Sequence, residues 1–252
     1  MIKLLSLILI LISGLPNMLF SQNSRYILHA GGDTPDGIIG SNSVDAAERS
    51  YEKGYRVFEI DFCFTSDDRL VCVHDWKNYY SSVIDITFDK FEEVRHNTYP
   101  FTSFTLDHLC QWIKSHRDVI IVTDIKENSV EGARIIAEEY PELKDNFCIQ
   151  IYSTSEYEII NELGFDNIIL TLYYMNWAEK TDTDAIVEFA KNHKLSGITF
   201  SLEMASIDGF VDALLEAKTP LFVHTVNDEL EQQKLFDMGI TGIYTDYAKK
   251  SE

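Results

Sequence analysis

From Tyr26 onwards the chain alternates between short apolar runs rich in β-branched and aromatic residues and longer stretches whose apolar residues recur at helical spacing. The strand candidates are Ile27 to Gly31, Val57 to Phe64 with Leu70 to His74, Val119 to Lys126, Phe147 to Tyr152, Ile168 to Tyr173, Gly197 to Leu202, Leu221 to Val226 and Gly242 to Thr245. Counting the second pair as one unit gives eight. Helical spacing covers Ser43 to Lys53, Leu106 to His116, Val130 to Tyr140, Glu156 to Leu163, Asp184 to Asn192, Ile207 to Ala217 and Glu229 to Met238. Asn42, Thr105, Ser129 and Asp228 stand where N-caps belong.

Strand–helix alternation implies parallel strands joined by right-handed crossovers, and eight such units close most simply into an α/β fold of the (β/α)8 TIM barrel type. A doubly wound open sheet is the alternative, but no GxGxxG follows the first strand to support it. Little chain remains after the last strand, so the final helix is expected to be short or absent. No Pro/Ser-rich linker divides residues 23–252, which read as one domain. An aromatic insertion at about 76–104 follows the second strand unit and carries Trp76, Tyr79, Tyr80, Phe88, Phe91, Tyr99 and Phe101. It either caps the site at the strand ends or packs on the barrel as a small subdomain. Tyr173, Tyr174 and Trp177 pose the same choice after the fifth strand, and either cluster suits a stacked polyol or a lipid headgroup.

The N-terminal residues lie outside this pattern. Lys3 precedes the apolar run Leu4 to Ile12, and Ser21, Gln22 and Asn23 follow, so residues 1–22 read as a cleaved signal peptide and the mature protein as exported, periplasmic or secreted.

Composition narrows the partners. With 45% hydrophobic residues in 252, the chain can bury a core. Its 41 carboxylates against 21 Lys plus Arg give a net charge of −20, which repels phosphate backbones and speaks against nucleic acid. An anionic substrate then needs a metal or a placed Lys. No stable protein partner is predicted. Cys63, Cys72, Cys110 and Cys148 show no CxxC spacing and fit buried thiols better than a metal knot. In an oxidising compartment Cys63 and Cys72, flanking the turn Thr65 to Arg69, are placed to pair.

Several polar residues break otherwise apolar strands. Glu59 and Asp61, two apart, share one face at the C-terminal end of their strand, where functional residues of a barrel belong. Two such carboxylates repel, and either a cation bound by oxygen ligands, Mg2+ or Ca2+, or a barrel Lys resolves the conflict. Asp124 and Lys126 repeat the spacing on the third strand unit, Asp124 as a third ligand and Lys126 as an anion holder or a neutralising partner. His29 and His74 also end strand-like runs and suit general acid–base work near neutral pH. His96, His108, His116 and His193 read as surface residues.

The run His29-Ala-Gly-Gly, then Asn42-Ser, Glu59-Ile-Asp61, His74-Asp75, Asp124-Ile-Lys126, His224-Thr-Val-Asn227 and Gly242-Ile-Tyr-Thr-Asp246 resembles the glycerophosphodiester phosphodiesterase family of phospholipase C-like barrels, over residues 26–247. The resemblance implies a metal-dependent phosphodiesterase acting on a small phosphodiester or lipid headgroup. Glu59, Asp61 and Asp124 hold one Ca2+ or Mg2+, His29 and His74 share the proton transfers, and Lys126 completes a cationic cradle. Asn42, His224 and Asn227 are further candidates for substrate binding, with helix capping as the other reading of Asn42 and Asn227. Thr245 and Asp246 are expected to close the barrel.

Three positions depart from the family pattern. Ala30 stands where an Arg is usual, which removes a bidentate phosphate contact. Asp124 is one methylene shorter than the usual Glu. His224 replaces an aromatic platform and is either a core histidine or a substrate contact that restores some positive charge. Two alternatives to hydrolysis stay open: a lyase reaction releasing a cyclic phosphate, and a barrel that only binds a polyol or envelope ligand.

Overall fold

A computed structural model describes residues 25–77 and 86–248. Its strands are β1 (Tyr26–Leu28), β2 (Val57–Phe64), β3 (Leu70–Val71), β4 (Ile120–Ile125), β5 (Phe147–Ile151), β6 (Ile168–Thr171), β7 (Gly197–Ser201), β8 (Leu221–His224) and β9 (Gly242–Thr245). All but β3 pair in parallel in the cyclic order β1-β9-β8-β7-β6-β5-β4-β2, and the β1–β2 pairing closes the barrel. The expected (β/α)8 architecture is therefore formed. β3 is a short antiparallel partner of β2, through Cys63↔Val71 and Phe64↔Leu70. His74 consequently lies in the loop after this hairpin and does not end a barrel strand as its sequence position suggests.

Period two decides which side chains enter the barrel. Ile27, Val57, Val122, Cys148, Ile169, Phe222 and Tyr244 form the interior cluster. Alternate residues such as Leu28, Phe58, Ile60, Ile121, Leu170 and Phe200 belong to the larger cluster with helical residues such as Leu109, Ile136 and Leu214. Phe222 fits because its neighbours on both sides are glycines: a Cβ on Gly242 would stand 2.9 Å from its ring, and one on Gly197 would also collide with it. The β2–β4 register sets Asp61 beside Asp124 and Glu59 beside Val122, which brings the acidic positions of two strands to one end of the barrel.

Helix starts follow from side chains that satisfy free N–H groups. Thr105 and Asp228 cap as expected, accepting from His108 N and Glu231 N. Two caps differ by one residue. Ser43, not Asn42, accepts from Ala46 N at 3.2 Å, and Asn128, not Ser129, caps the helix Ser129–Glu139. Where one helix was expected over Ile207 to Ala217, Gly209 at φ 74° separates Leu202–Ala205 from Phe210–Leu215. The helices Phe88–Asn97 and Trp177–Thr181 were not foreseen.

Trp76, Ile86 and Phe91 of the insertion pack on Cys63, Val71 and Val73 of the hairpin, and Trp76 Nε1 donates to Phe64 O at 3.2 Å. All four cysteines are buried and free, so Cys63 and Cys72 do not pair. His116 and His193 are half-buried at helix ends and not freely exposed, each with Nδ1 2.8 Å from a carbonyl of the last turn. No described residue after β9 is helical. The expected signal peptide over 1–22 and the aromatics Tyr79 and Tyr80 lie outside the described residues.

Candidate active site

The C-terminal ends of the strands surround a cavity of about 200 Å3. Its charged groups come from the contiguous strands β9, β1, β2 and β4 and the loops that follow them. Glu59 and Asp61 are nearly inaccessible, at 2% and 1% exposure. Asp61 Oδ1 lies 2.6 Å from Lys126 Nζ, and the same ammonium lies 2.6 Å from Asp124 Oδ2. Asn42, at φ 48°, aims its amide at the other side of Asp61: Nδ2 donates to Oδ2, and Asp61 N donates to Asn42 Oδ1, both at 2.9 Å. Burial disfavours the Asp61 carboxylate, but Lys126 and Asn42 outweigh it and hold its pKa below the ordinary value. Lys126 loses hydration too, yet Asp61 and Asp124 raise its pKa and keep it charged.

Glu59 is less well compensated, since the charges of His29 and Lys126 do not outweigh its burial. Its Oε2 accepts from Ala30 N at 2.9 Å, while Oε1 is buried without a hydrogen-bond partner. Burial and the neighbouring Asp61 push its pKa upward. Ala30 itself, at φ 49°, is fully buried, so the position usual for Arg offers the cavity only main chain.

His29 follows β1, with Nδ1 2.7 Å from Asp246 Oδ1 and Nε2 3.9 Å from Glu59 Oε2. Burial opposes the imidazolium, but the Asp246 hydrogen bond and the charges of Glu59 and Asp61 prevail and raise its pKa to about 9. Asn227 Nδ2 donates to Asp246 Oδ2 at 2.6 Å, and Asp246 N donates back to Asn227 Oδ1 at 2.9 Å. His74 has the same arrangement in a more exposed setting, Nδ1 lying 2.7 Å from Asp75 Oδ2. In each pair the carboxylate occupies Nδ1 and leaves Nε2 for chemistry.

The facing arc, from β5 to β8, lines the cavity with uncharged groups: Gln150, Tyr152, Thr171, Tyr173, Tyr174, His224 and Thr225. Tyr152 OH donates to Asp124 Oδ1 and so ties the two arcs together. Tyr173 and Tyr174 are about half exposed, at 54% and 55%, and their rings meet edge-on at 4.8 Å. His224 cannot restore the positive charge missing at Ala30. Burial first, then the positive charges of His29 and Lys126, lower its pKa to about 4 and leave it neutral.

The structure thus gathers His29, His74, Glu59, Asp124, Lys126 and His224 on one cavity, with Asp61 just behind. Asn42 and Asn227 support carboxylates and do not line it. Among the described residues, one ligand atom each from His29, Glu59 and Asp61 lie within 4.8 Å of one another, whereas Asp124 is turned to Lys126 and Tyr152. No described residue of the insertion lines the cavity. Sequence reasoning missed Asp246 as the partner of His29. Its place in the closing Gly-Ile-x-Thr-Asp run was the available signal. It also missed Gln150, Tyr152, Thr171 and Thr225, which look like ordinary strand-end residues.

Carboxylates, a lysine and two carboxylate-held imidazoles gather at the strand ends of a closed parallel barrel, where the active sites of barrel enzymes lie. The model of the glycerophosphoryl diester phosphodiesterase family matches residues 29–250, and the chain belongs to that family of phosphoric diester hydrolases. A search of curated proteins gives no match. Among solved structures, the glycerophosphodiester phosphodiesterase of Thermotoga maritima is similar at TM-score 0.68 and 19% identity, covering 89% of this chain and 95% of that one. One from Parabacteroides distasonis is similar at TM-score 0.67 and 18% identity, covering 88% and 92%. An Oleispira antarctica phosphodiesterase in complex with the product sn-glycerol-3-phosphate is similar at TM-score 0.62 and 17% identity, covering 89% and 93%. At these identities the three likenesses speak for the fold.

Proposed function

We propose that this protein hydrolyses a glycerophosphodiester, or a related alcohol-phosphate diester, with one divalent cation, Ca2+ or Mg2+, and with His29 and His74 as acid and base. The observation that carries this reading is the buried Glu59–Asp61 pair with its unpartnered Glu59 oxygen, beside two imidazoles and Lys126. The donor set fits a hard cation: once Glu59 is ionised, Glu59, Asp61, Asp124 and Asp246 carry four negative charges against those of Lys126 and the His29 imidazolium, an excess of two. Glu59, Asp61 and Asp124 would hold the ion, leaving His29 Nε2 for proton transfer. Bound there, it supplies positive charge to a non-bridging phosphate oxygen.

The remaining work falls to this chain's own groups. Lys126 faces the phosphate as a point charge whose position Asp61 and Asp124 fix. Asp246 and Asp75 orient the two imidazoles, so that one Nε2 takes a proton from the attacking oxygen and the other returns one to the leaving alkoxide. The product named for the Oleispira antarctica neighbour, sn-glycerol-3-phosphate, supports a glycerol-bearing diester as substrate. The Lys3 and Leu4 to Ile12 pattern supports export, and N-terminal sequencing of protein recovered from the culture medium or periplasm tests that part.

The central experiment measures release of glycerol 3-phosphate and free alcohol from a panel of glycerophosphodiesters, with Ca2+, Mg2+ or EDTA, for the wild type and His74→Ala. Turnover that requires metal and is lost in the variant is the expected result. Phosphorus NMR separates direct hydrolysis from a cyclic phosphate product. Phosphate-ester binding without turnover on any substrate would replace catalysis with a binding role.

A further inference from the structure

Asp124, near the end of β4, lines the cavity with both of its oxygens engaged. Lys126 Nζ donates to Oδ2 at 2.6 Å, and the hydroxyl of Tyr152, the residue after β5, donates to Oδ1. Because β4 pairs with β5, the two side chains are neighbours across the sheet. The phenol is itself held in place. Tyr152 N donates to Glu156 Oε2 at 2.8 Å, and Ser129 Oγ, which starts the helix after β4, donates to Glu156 Oε1 at 3.0 Å. The Tyr152 ring also meets that of Tyr174 edge-on at 5.1 Å. A carboxylate has about four acceptor positions, so two donors restrict how Asp124 can turn and still leave it capacity for a cation. Bonds of this kind, made to a ligand and not to the ion, orient the ligand and tune its affinity.

The chain departs from the family pattern at this same position, where Asp124 stands for a Glu and ends one bond shorter. Tyr152 OH is the group that the fold sets against the shortened acid. We propose that Tyr152 is a positioning residue of the cation site, whose hydroxyl fixes the Asp124 carboxylate so that this shorter acid serves beside Glu59 and Asp61. Asp124 and Tyr152 together then do the work of one Glu. This rests on the cation reading above and adds to it the residue that makes an Asp workable at position 124.

Calorimetric titration of Ca2+ into the metal-free protein tests it, with the fold of each variant checked by its melting curve. Tyr152→Phe keeps the ring, loses one oxygen, and should bind Ca2+ about 10–100-fold more weakly than the wild type. Asp124→Glu alone should also bind more weakly, because the longer acid meets the phenol. In Tyr152→Phe/Asp124→Glu the longer acid no longer needs the hydroxyl or meets it, and affinity should recover by about tenfold over Tyr152→Phe. Damage to the general packing would add in the double variant and not reverse. Unchanged Ca2+ affinity in Tyr152→Phe overturns the proposal, as do losses that add in the double variant. If Tyr152→Phe does not fold, Asp124→Glu carries the test alone, and tighter Ca2+ binding with Tyr152 in place overturns it. A wild type that binds neither Ca2+ nor Mg2+ would overturn the cation reading itself, and this proposal with it.

Discussion

The two arcs of the barrel mouth solve opposite problems. On β9, β1, β2 and β4 the charges hold one another: Asp61 is fixed by Lys126 and Asn42, His29 by Asp246, and Asp246 by Asn227. On β5 to β8 the groups are neutral and less constrained, with His224 Nε2 unpartnered and Tyr173 and Tyr174 half exposed. Reactive groups need fixed geometry, and fixing comes from cross-bonded charges in a low-dielectric setting.

The largest difference between the arcs should appear in catalysis. His29→Ala removes a proposed proton-transfer group and is expected to lower kcat about 10²–10⁴-fold. Asp246→Asn keeps the shape but loses the charge that favours the imidazolium, and its loss should approach the same range. Tyr173→Ala, in the neutral arc, should raise KM by less than about tenfold with kcat nearly intact, since it removes contact area and no proton carrier. Steady-state kinetics on one glycerophosphodiester decides the matter. A kcat loss in Tyr173→Ala as deep as in His29→Ala would break the division of labour.

Stability separates the arcs next. Lys126→Met leaves the buried Asp61 beside the half-buried Asp124 with no cation between them, and removing one partner of a buried ion pair costs about 3–5 kcal/mol. Urea unfolding in EDTA should show that loss, and added Ca2+ should recover part of it. Beneath the mouth, where no charged group lies, Gly242→Ala on β9 puts a methyl 2.9 Å from the Phe222 ring of β8 and should cost about 1–3 kcal/mol through overpacking. It has no charge to regain, so Ca2+ should not rescue it. Equal rescue of both variants would mean that the ion acts on the whole barrel and not on one arc.

The same division explains what the sequence disclosed. Glu59, Asp61, Asp124 and Lys126 were legible because a charge within an apolar strand is anomalous, and period two then sets such charges on one face. Gln150, Tyr152, Thr171 and Thr225 were not, because neutral polar and aromatic residues are ordinary at strand ends. Asn42 and Ser43 both suit an N-cap, and only the backbone decides between them: Asn42, at φ 48°, turns its amide to Asp61 and leaves capping to Ser43. His74 looked like a strand end since Leu70 to Val73 is apolar, but β3 stops at Val71, and the loop beyond it carries the imidazole to the cavity. The bond from Asp246 to His29 spans almost the whole chain, and closure of β9 on β1 is what brings the two residues together.

The smallest effect concerns pH, and it sharpens the contrast because only one arc titrates near neutrality. Without metal, His29 binds its proton more tightly folded than unfolded, with a pKa raised from 6.5 to about 9. Glu59 is shifted in the same direction by burial and by Asp61. A group with a raised folded pKa contributes stability that is complete below its unfolded value and disappears as pH climbs through the folded one. The metal-free protein should therefore lose thermal stability as pH rises from 6.5 towards 9. A cation held at Glu59 and Asp61 as proposed would take the place of those protons, so the Ca2+-loaded protein should show a flatter profile, a higher melting temperature at the alkaline end, and proton release on metal binding. His224 is already neutral throughout this range, and His224→Gln should leave both profiles unchanged. Melting curves in EDTA and in Ca2+ across that window provide the check. Parallel profiles would show that the ion does not bind where the unpartnered Glu59 oxygen lies.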